Sequence, residues 1–168
     1  MLLIREAVPG DAEAIAAIHA DSWSEAYKDI VPPAQLALRG SREYRLDSWK
    51  KKLAEPDGRH FVALEPFGPV GYFTLAAPKE AGVPLDTWEL HAIYFAPQHW
   101  RRGYGTQCMS FIFNHLREQG FRYLSLWVFQ ENQRAAAFYR KLGFSPDGAE
   151  RPVAPDSDIL EVRFLREL

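Results

Sequence analysis

The chain has 168 residues, of which 47% are hydrophobic and 25% are charged, so one globular domain over residues 1–168 with an ordinary apolar core is expected. A formal net charge of −2 argues against a general attraction to nucleic acid. The single cysteine excludes an internal disulfide framework, and no apolar run is long enough to span a bilayer, so no membrane association is expected.

The beginning of the chain, MLLIREAVPGDAEAI, has no cationic start followed by an apolar stretch, so it does not read as a signal peptide. A single cysteine is compatible with a reducing compartment. We therefore expect a cytoplasmic protein.

The first third of the chain predicts one strand followed by helices. Residues 2–7 read as a strand, and Asp11 is a plausible N-cap of the helix that follows. Two prolines interrupt this pattern, and a short second helix is predicted to begin at Pro33. Residues 41–53 predict another helix, with Ser41 as its cap.

The pattern then changes to short apolar runs bounded by turn residues, which favours strands. A helix that ends at Gly120 and a second one between Asn132 and Gly143 interrupt these runs. The predicted strands are residues 60–66, 70–77, 86–97, 122–130, 143–148 and 158–168.

Strands that follow one another directly favour antiparallel pairing, whereas the β-α-β stretch from Trp88 to Phe129 favours a parallel crossover. The predicted fold class is α+β (mixed α/β), with a mixed sheet and helices on both faces.

The turn WRRGYGT, at residues 100–106, stands between a strand and a helix. Gly103 and Gly105 allow a ligand to approach the main chain closely, and the helix start together with Arg101 and Arg102 is electropositive. This favours a phosphate or diphosphate site, with a plain structural turn as the alternative. The spacing fits neither the phosphate loop of nucleotidases nor the dinucleotide fingerprint.

Two motifs resemble those of the GNAT superfamily, the GCN5-related N-acetyltransferases. WRRGYG is similar to the family's Gln/Arg-x-x-Gly-x-Gly/Ala turn, with Trp100 in the Gln/Arg place. ENQRAAAFYRKLGF, at residues 131–144, is similar to the family's Asn-x-x-Ala-x-x-Phe-Tyr-x-x-x-Gly-Phe segment. The resemblance implies a mixed, mostly antiparallel sheet of about seven strands in the order β-α-α-β-β-β-α-β-α-β-β.

The same resemblance implies acetyl-CoA as the acetyl donor and suggests how it is held. The main chain of one strand would pair with the pantetheine arm, main-chain N–H groups of the turn would hold the diphosphate, and an asparagine of the second motif would contact the cofactor. By position these cofactor-binding residues are Ile93, Tyr94 and Phe95 for the arm, Arg101, Arg102, Gly103, Tyr104, Gly105 and Thr106 for the diphosphate, and Asn132.

Tyr139 matches the family tyrosine that protonates the leaving thiolate, and a phenol with a pKa of about 10 remains protonated at neutral pH. The alternative for Tyr139 is a packed aromatic residue on an amphipathic helix. Glu89 lies where histone-type members have their glutamate base, and strand alternation places His91 on the same face. Either residue is a candidate for accepting the amine proton, and the alternative for both is a solvated position on the sheet.

The opening of the chain, up to AYKDIVP, also resembles small bacterial acetyltransferases in which this region closes over the acceptor site. Trp23 and Tyr27 are therefore candidate substrate-binding residues, with core packing as the alternative. Cys108 lies on an apolar helix face and is expected to be a buried core thiol rather than an acetylated nucleophile. The histidines show no ligand-like spacing, so no metal is expected.

These residues together imply direct transfer of an acetyl group from the thioester to the primary amine of a small molecule. An acetyltransferase of protein N-termini or lysines and a CoA-binding module without catalysis are the alternatives. The acceptor and the oligomeric state, monomer or homodimer, are left open by the sequence.

Overall fold

The computed structural model describes residues 2–155 and 157–168. The helices are Ala12–Ala26 (α1), Pro33–Arg39 (α2), Arg42–Ala54 (α3), Tyr104–Glu118 (α4) and Gln133–Lys141 (α5). The strands are Leu3–Glu6 (β1), Arg59–Glu65 (β2), Gly68–Ala76 (β3), Thr87–Phe95 (β4), Tyr123–Phe129 (β5), Ser145–Pro152 (β6) and Leu160–Glu167 (β7). Among the described residues, no helix has both the length and the apolar character needed to cross a membrane.

The seven strands form one sheet in the order β1-β2-β3-β4-β5-β7-β6. β4 and β5 are parallel, from the pair Thr87–Tyr123 to the pair Leu90–Leu126. The pairs β1–β2, β2–β3, β5–β7 and β6–β7 are antiparallel. This arrangement confirms the predicted fold class. Three helices lie between β1 and β2, as the residue pattern predicts, rather than the two of the order that the resemblance implies.

Both residues predicted as helix caps, Asp11 and Ser41, lie at the N-cap positions of their helices, but only Ser41 forms a cap hydrogen bond with its side chain. Ser41 caps α3, because its hydroxyl oxygen accepts a hydrogen bond from the Tyr44 N–H at 3.3 Å. Asp11 precedes α1 but its carboxylate does not cap that helix. It accepts instead two hydrogen bonds from the guanidinium of Arg5, at 2.7 and 2.9 Å, and one from the N–H of Val8 at 2.8 Å.

The chain divides into two compact units. The first contains the residues up to Ala76 together with Ala92–Ile112, and the second contains Ala77–His91 together with Phe113–Leu168. The division falls within β4 and within α4. That residues 1–168 act as a single domain remains a prediction.

In the first unit, helices lie on both faces of the sheet. Val62 of β2 belongs to a buried cluster with Ile15 of α1 and Trp49 of α3. Phe61, the preceding residue, lies against Phe111 of α4, with 5.7 Å between the ring centroids. Since successive residues of a strand point to opposite faces, α1 and α3 cover one face and α4 covers the other.

In the second unit, an aromatic cluster joins the helices to one face of the strands. Phe113 of α4 lies 6.1 Å from Phe144, and the guanidinium of Arg166 on β7 lies 3.9 Å from the Phe113 ring centroid. Arg166 is paired with Leu124 of β5, so Leu124 points to this same face. The next residue, Ser125, therefore points to the opposite face.

Candidate active site

In the first unit, the chain turns sharply between β4 and α4. A 3-10 turn at Pro97–His99 follows the end of the strand. Arg101 has a φ of 62° and Gly103 a φ of 77°, so two residues of a three-residue stretch adopt the left-handed conformation. A Cβ atom added to Gly103 would meet no other atom within 4 Å, so its main chain is open to a close approach.

This turn places main-chain donors at the start of α4. The first four N–H groups of an α-helix lack an acceptor within the helix, and they point outward along its axis. The bond from the Gln107 N–H to the Gly103 carbonyl, 3.1 Å long, belongs to the first turn. The helix dipole and the guanidinium groups of Arg101 and Arg102 add positive charge here. The residues present therefore fit a diphosphate.

A carboxylate that the sequence analysis did not single out lies beside this turn. Glu65, the last residue of β2, accepts a hydrogen bond from the Tyr104 hydroxyl, and this bond is the main reason why the pKa of Tyr104 is raised. Its oxygens lie 3.9 Å from Nη1 of Arg102 and 3.7 Å from Nδ1 of His99. Because the Arg102 side chain is 53% exposed, this ion pair is weak and leaves its guanidinium able to turn toward an anion.

The end of β4 is fixed by two hydrogen bonds to one carbonyl group. The Phe95 carbonyl oxygen accepts from the Ser22 hydroxyl at 2.7 Å and from the Trp100 indole N–H at 2.6 Å. The predicted pantetheine-binding residues, Ile93 to Phe95, form this part of the strand. A ligand that pairs with the strand has to use main-chain groups other than the Phe95 carbonyl oxygen.

The two residues predicted to line the acceptor site lie together with Tyr94. The rings of Trp23 and Tyr27 are 4.6 Å apart, and the hydroxyl groups of Tyr27 and Tyr94 are 3.1 Å apart. His19 stacks on Tyr94 at 5.1 Å and accepts a hydrogen bond at Nδ1 from the indole N–H of Trp49, at 3.1 Å. The pKa of His19 lies well below its usual value, first because of burial. The imidazole is therefore neutral, with its proton on Nε2.

Sequence reasoning did not select Arg45 and Tyr72, which lie near this aromatic group. The guanidinium carbon of Arg45 is 5.3 Å from the Trp23 ring centroid, and Tyr72 lies 5.5 Å from His19. The sequence contained a partial signal for Tyr72. It precedes Phe73 on a strand, so its side chain points to the face of the sheet opposite to that of Phe73. The contact with α3 depends on helix packing and is not visible in local spacing.

In the second unit, the structure brings the two candidate proton acceptors together. His91 Nε2 lies 3.1 Å from Glu89 Oε1. Glu89 is paired with Ser125, so both residues share the face opposite to the aromatic cluster. The Glu89 side chain is 5% exposed, and its Oε2 has no hydrogen-bond partner among the described residues. A buried carboxylate with one unsatisfied oxygen is able to accept a proton or a hydrogen bond from a ligand.

The backbone around His91 differs from that of an ordinary central strand. The residue as a whole is exposed, although its side chain is only 21% exposed. The exposure therefore lies on main-chain atoms. Main-chain groups exposed in the interior of a sheet offer a place where an extended ligand is able to pair.

The two predicted residues of α5 lie at its beginning and on its buried face. Asn132 is the N-cap, and its side-chain oxygen accepts a hydrogen bond from the Ala135 N–H at 3.1 Å. Tyr139 is 9% exposed, with its ring 5.2 Å from Phe138 and 5.7 Å from Phe144. A capping role for Asn132 is thus visible, whereas its contact with a cofactor remains a prediction.

Cys108 is fully buried in α4, which confirms the prediction of a core thiol. Burial raises its pKa to about 12. Because only the thiolate is a strong nucleophile, this residue is unsuited to an acetyl-cysteine step. In the part of the chain that the structure describes, no group of three or more His, Cys, Asp or Glu side chains is arranged to hold a metal ion.

Comparison with known proteins identifies the family. A family model described as the acetyltransferase (GNAT) family matches residues 14–144. The uncharacterized N-acetyltransferase YuaI of Bacillus subtilis (strain 168) is 30% identical over 164 residues, which cover 98% of this chain and 89% of YuaI.

Solved structures share the fold at low sequence identity. A GCN5-related N-acetyltransferase from Rhodopseudomonas palustris has a TM-score of 0.78 at 18% identity, with 100% of this chain and 96% of that chain covered. The PaiA N-acetyltransferase of Thermoplasma acidophilum, in complex with coenzyme A, has a TM-score of 0.76 at 17% identity, with 100% and 99% covered. This chain belongs to the GNAT family and is an N-acetyltransferase.

Proposed function

We propose that this enzyme transfers an acetyl group from acetyl-CoA directly to the primary amine of a small molecule, with residues 1–168 acting as a single N-acetyltransferase domain. The observation that carries the proposal is the turn at Arg101–Gly103, which opens main-chain donors at the electropositive start of α4. The coenzyme A complex of the PaiA enzyme, which has the same fold, supports acetyl-CoA as the donor.

In this proposal the turn and the strand before it position the donor. The amides of residues 101–106, with Arg101 and Arg102, hold the diphosphate. The main chain of β4 toward Ile93 and Tyr94 pairs with the pantetheine arm, and Asn132 adds a contact from α5. Binding energy of this kind places the thioester in a fixed position and so lowers the entropic part of the barrier.

The reaction then needs proton transfers by two side chains. An alkyl ammonium with a pKa of about 10.4 has to lose a proton before it attacks, and Glu89, whose Oε1 lies 3.1 Å from Nε2 of His91, accepts it. The new C–N bond forms as the C–S bond breaks, and the leaving sulfur takes its proton from the hydroxyl of Tyr139. The acetylated nitrogen then loses its second proton to the phenolate, which restores the Tyr139 hydroxyl and leaves a neutral amide. Trp23 and Tyr27 line the side from which the amine enters.

The proposal is tested by coenzyme A release from acetyl-CoA with a panel of small amines and, in parallel, with peptides that carry free N-termini or lysines. We expect coenzyme A to bind in calorimetry and small amines to be acetylated in preference to the peptides. Preference for peptides would support the alternative of a protein acetyltransferase. Binding without turnover of any amine or peptide would support a CoA-binding module, and no binding of coenzyme A would refute the assignment of the turn.

A further inference from the structure

Two arginines in the first unit lie over one buried indole without a carboxylate to neutralise them. The guanidinium carbons of Arg45 and Arg39 are 5.3 and 5.7 Å from the centroid of the Trp23 ring. Among the described residues, neither arginine has an Asp or Glu oxygen within ion-pair distance. Two like charges held close to each other in a partly buried place favour the binding of an anion.

Arg45 keeps most of its donors available. Its Nε donates to the Arg39 carbonyl oxygen at 2.6 Å, which fixes the plane of the guanidinium. In the described part of the chain its two Nη groups make no hydrogen bond. Burial lowers the pKa of Arg45, while its proximity to the phenol groups of Tyr72 and Tyr94 has the opposite effect. A fixed, planar guanidinium with free Nη groups is suited to bind a carboxylate through two parallel hydrogen bonds.

Tyr72 supplies a second, independent observation. Its side chain is one of the largest that are fully buried, and its hydroxyl has no hydrogen-bond partner among the residues that the structure describes. Burial raises the pKa of Tyr72 well above its usual value, so the hydroxyl stays protonated and able to donate. Since a buried hydroxyl without a partner is destabilising, a ligand that accepts a hydrogen bond from Tyr72 would remove this cost.

A further polar group nearby is also a donor. The neutral His19 carries its proton on Nε2, because Trp49 donates to Nδ1. A group of donors with net positive charge binds an anion and repels an ammonium group.

We propose that Arg45, with the hydroxyl of Tyr72, binds a carboxylate of the acceptor, and that the acceptor is therefore an amine of the amino acid type. This inference rests on the proposed function, because Trp23, Tyr27 and Tyr94 belong to the site proposed there for the acceptor and the donor. The cationic site orients the molecule: its carboxylate lies at Arg45, and its amine points away from the two arginines.

The test compares acceptors in matched pairs that differ only in the carboxylate, such as L-methionine with 3-(methylthio)propylamine and L-phenylalanine with phenethylamine. We expect the amino acid of a pair to have the higher kcat/KM. Because a hydrogen-bonded charge is lost, Arg45→Gln should lower kcat/KM for the amino acid by roughly 10-fold to 150-fold and leave that of the matched amine nearly unchanged. The kcat/KM of Arg45→Lys for the amino acid should lie between those of the wild type and Arg45→Gln, since lysine keeps the charge but does not reproduce the planar guanidinium.

Arg42→Gln is the matched control, because Arg42 lies one turn away on α3 and is exposed in its pair with Asp21. This substitution should leave kcat/KM unchanged for both members of each acceptor pair. Tyr72→Phe is the second variant, with a result that a packing role would not give: it should keep or raise thermal stability in the free enzyme and still raise KM for the amino acid. It also serves as the test if Arg45→Gln fails to fold.

A readout without turnover uses N-acetyl-L-methionine and N-acetyl-L-phenylalanine in the presence of coenzyme A. A rise in melting temperature in the wild type that is lost in Arg45→Gln supports the inference. Equal kcat/KM within the pairs, no effect of Arg45→Gln, or no thermal shift with either N-acetyl amino acid overturns it. These results leave the proposed function intact, whereas a failure of the proposed function is recognised separately, by the absence of coenzyme A binding.

Discussion

The imidazole of His91 and the carboxylate of Glu89 form a pair in the second unit, with 3.1 Å between Nε2 and Oε1. The other oxygen of Glu89 is buried and has no partner among the described residues. A carboxylate that is oriented on one side and unsatisfied on the other has the geometry of a general base held in position. The contact joins two residues that the sequence offered only as alternatives.

Glu89→Gln should reduce kcat by about 10²-fold to 10⁴-fold, because the amide keeps the shape of the side chain but does not accept a proton. Stability should stay the same or rise, since the variant removes a buried charge. The measurements are steady-state rates and thermal unfolding. Glu150→Gln, on an exposed position of β6, is the control and should behave as the wild type. An unchanged kcat in Glu89→Gln would assign the proton transfer to another group.

Tyr139→Phe should lower kcat by about 10²-fold to 10⁴-fold and leave the Kd of coenzyme A unchanged. The ring of Tyr139 is packed against Phe138 and Phe144, and the variant retains that packing while it removes the hydroxyl. Rates and calorimetry measure the two effects separately. Tyr123→Phe, on β5, is the matched control. Weaker coenzyme A binding at unaltered kcat would show that the hydroxyl has a binding role and no part in proton transfer.

Gly103→Ala should weaken coenzyme A binding and also destabilise the protein by about 1–2 kcal/mol, because alanine disfavours the left-handed φ of 77°. Gly148→Ala separates the two effects. Gly148 has a φ of 91°, and an added Cβ there also meets nothing within 4 Å. We expect similar losses of stability in chemical denaturation for both variants, with a rise in Kd only for Gly103→Ala. Equal Kd values in both variants would contradict a diphosphate at this turn.

The order of elements was predictable because the signals are local. The cap at Ser41, the helix stop at Gly120 and the change from helical to strand spacing each lie within a few residues. Asp11 lies at the predicted N-cap position of α1, but its carboxylate makes no cap hydrogen bond to that helix, because Arg5, on a different element, binds it. Local spacing contains no information on which of two competing donors will be closer.

The candidate functional residues likewise divide into those with a local sequence signal and those without one. Glu89 and His91 are two positions apart on one strand, so alternation alone placed them on one face. Glu65 bonds to a tyrosine 39 residues further along the chain, and Arg45 lies over Trp23, which is on a different helix. Such contacts depend on how helices and strands pack, and no pattern within a short window specifies them.

Asp11→Asn should destabilise the protein at neutral pH by about 1.5–3 kcal/mol, because it removes the charge that accepts two hydrogen bonds from Arg5. These bonds hold the pKa of Asp11 below its usual value. A carboxyl group with a lowered pKa in the folded state stabilises the protein at pH values above its unfolded-state pKa, about 3.9. This contribution is lost as the pH falls through its folded-state pKa. The difference in free energy of unfolding between the wild type and Asp11→Asn should therefore become smaller in acid.

Chemical denaturation at neutral pH and below about pH 4 measures this difference. Asp21→Asn is the control, since Asp21 pairs with Arg42 at an exposed position, and its effect should be at most about 1 kcal/mol. A gap between the wild type and Asp11→Asn that stays constant with pH would show that the side chain acts through its shape and neutral hydrogen bonds.

Cys108→Ala should retain full turnover, because the thiol is buried and its pKa is raised to about 12. At that pKa only about one molecule in 10⁵ carries a thiolate at neutral pH, too few for an acetylated intermediate. The variant should lose about 1 kcal/mol of stability, the usual result of a buried substitution. A thiol reagent such as DTNB should react with the wild type slowly when it is folded and rapidly in guanidinium. Loss of turnover in a folded Cys108→Ala would instead require a covalent step through this sulfur.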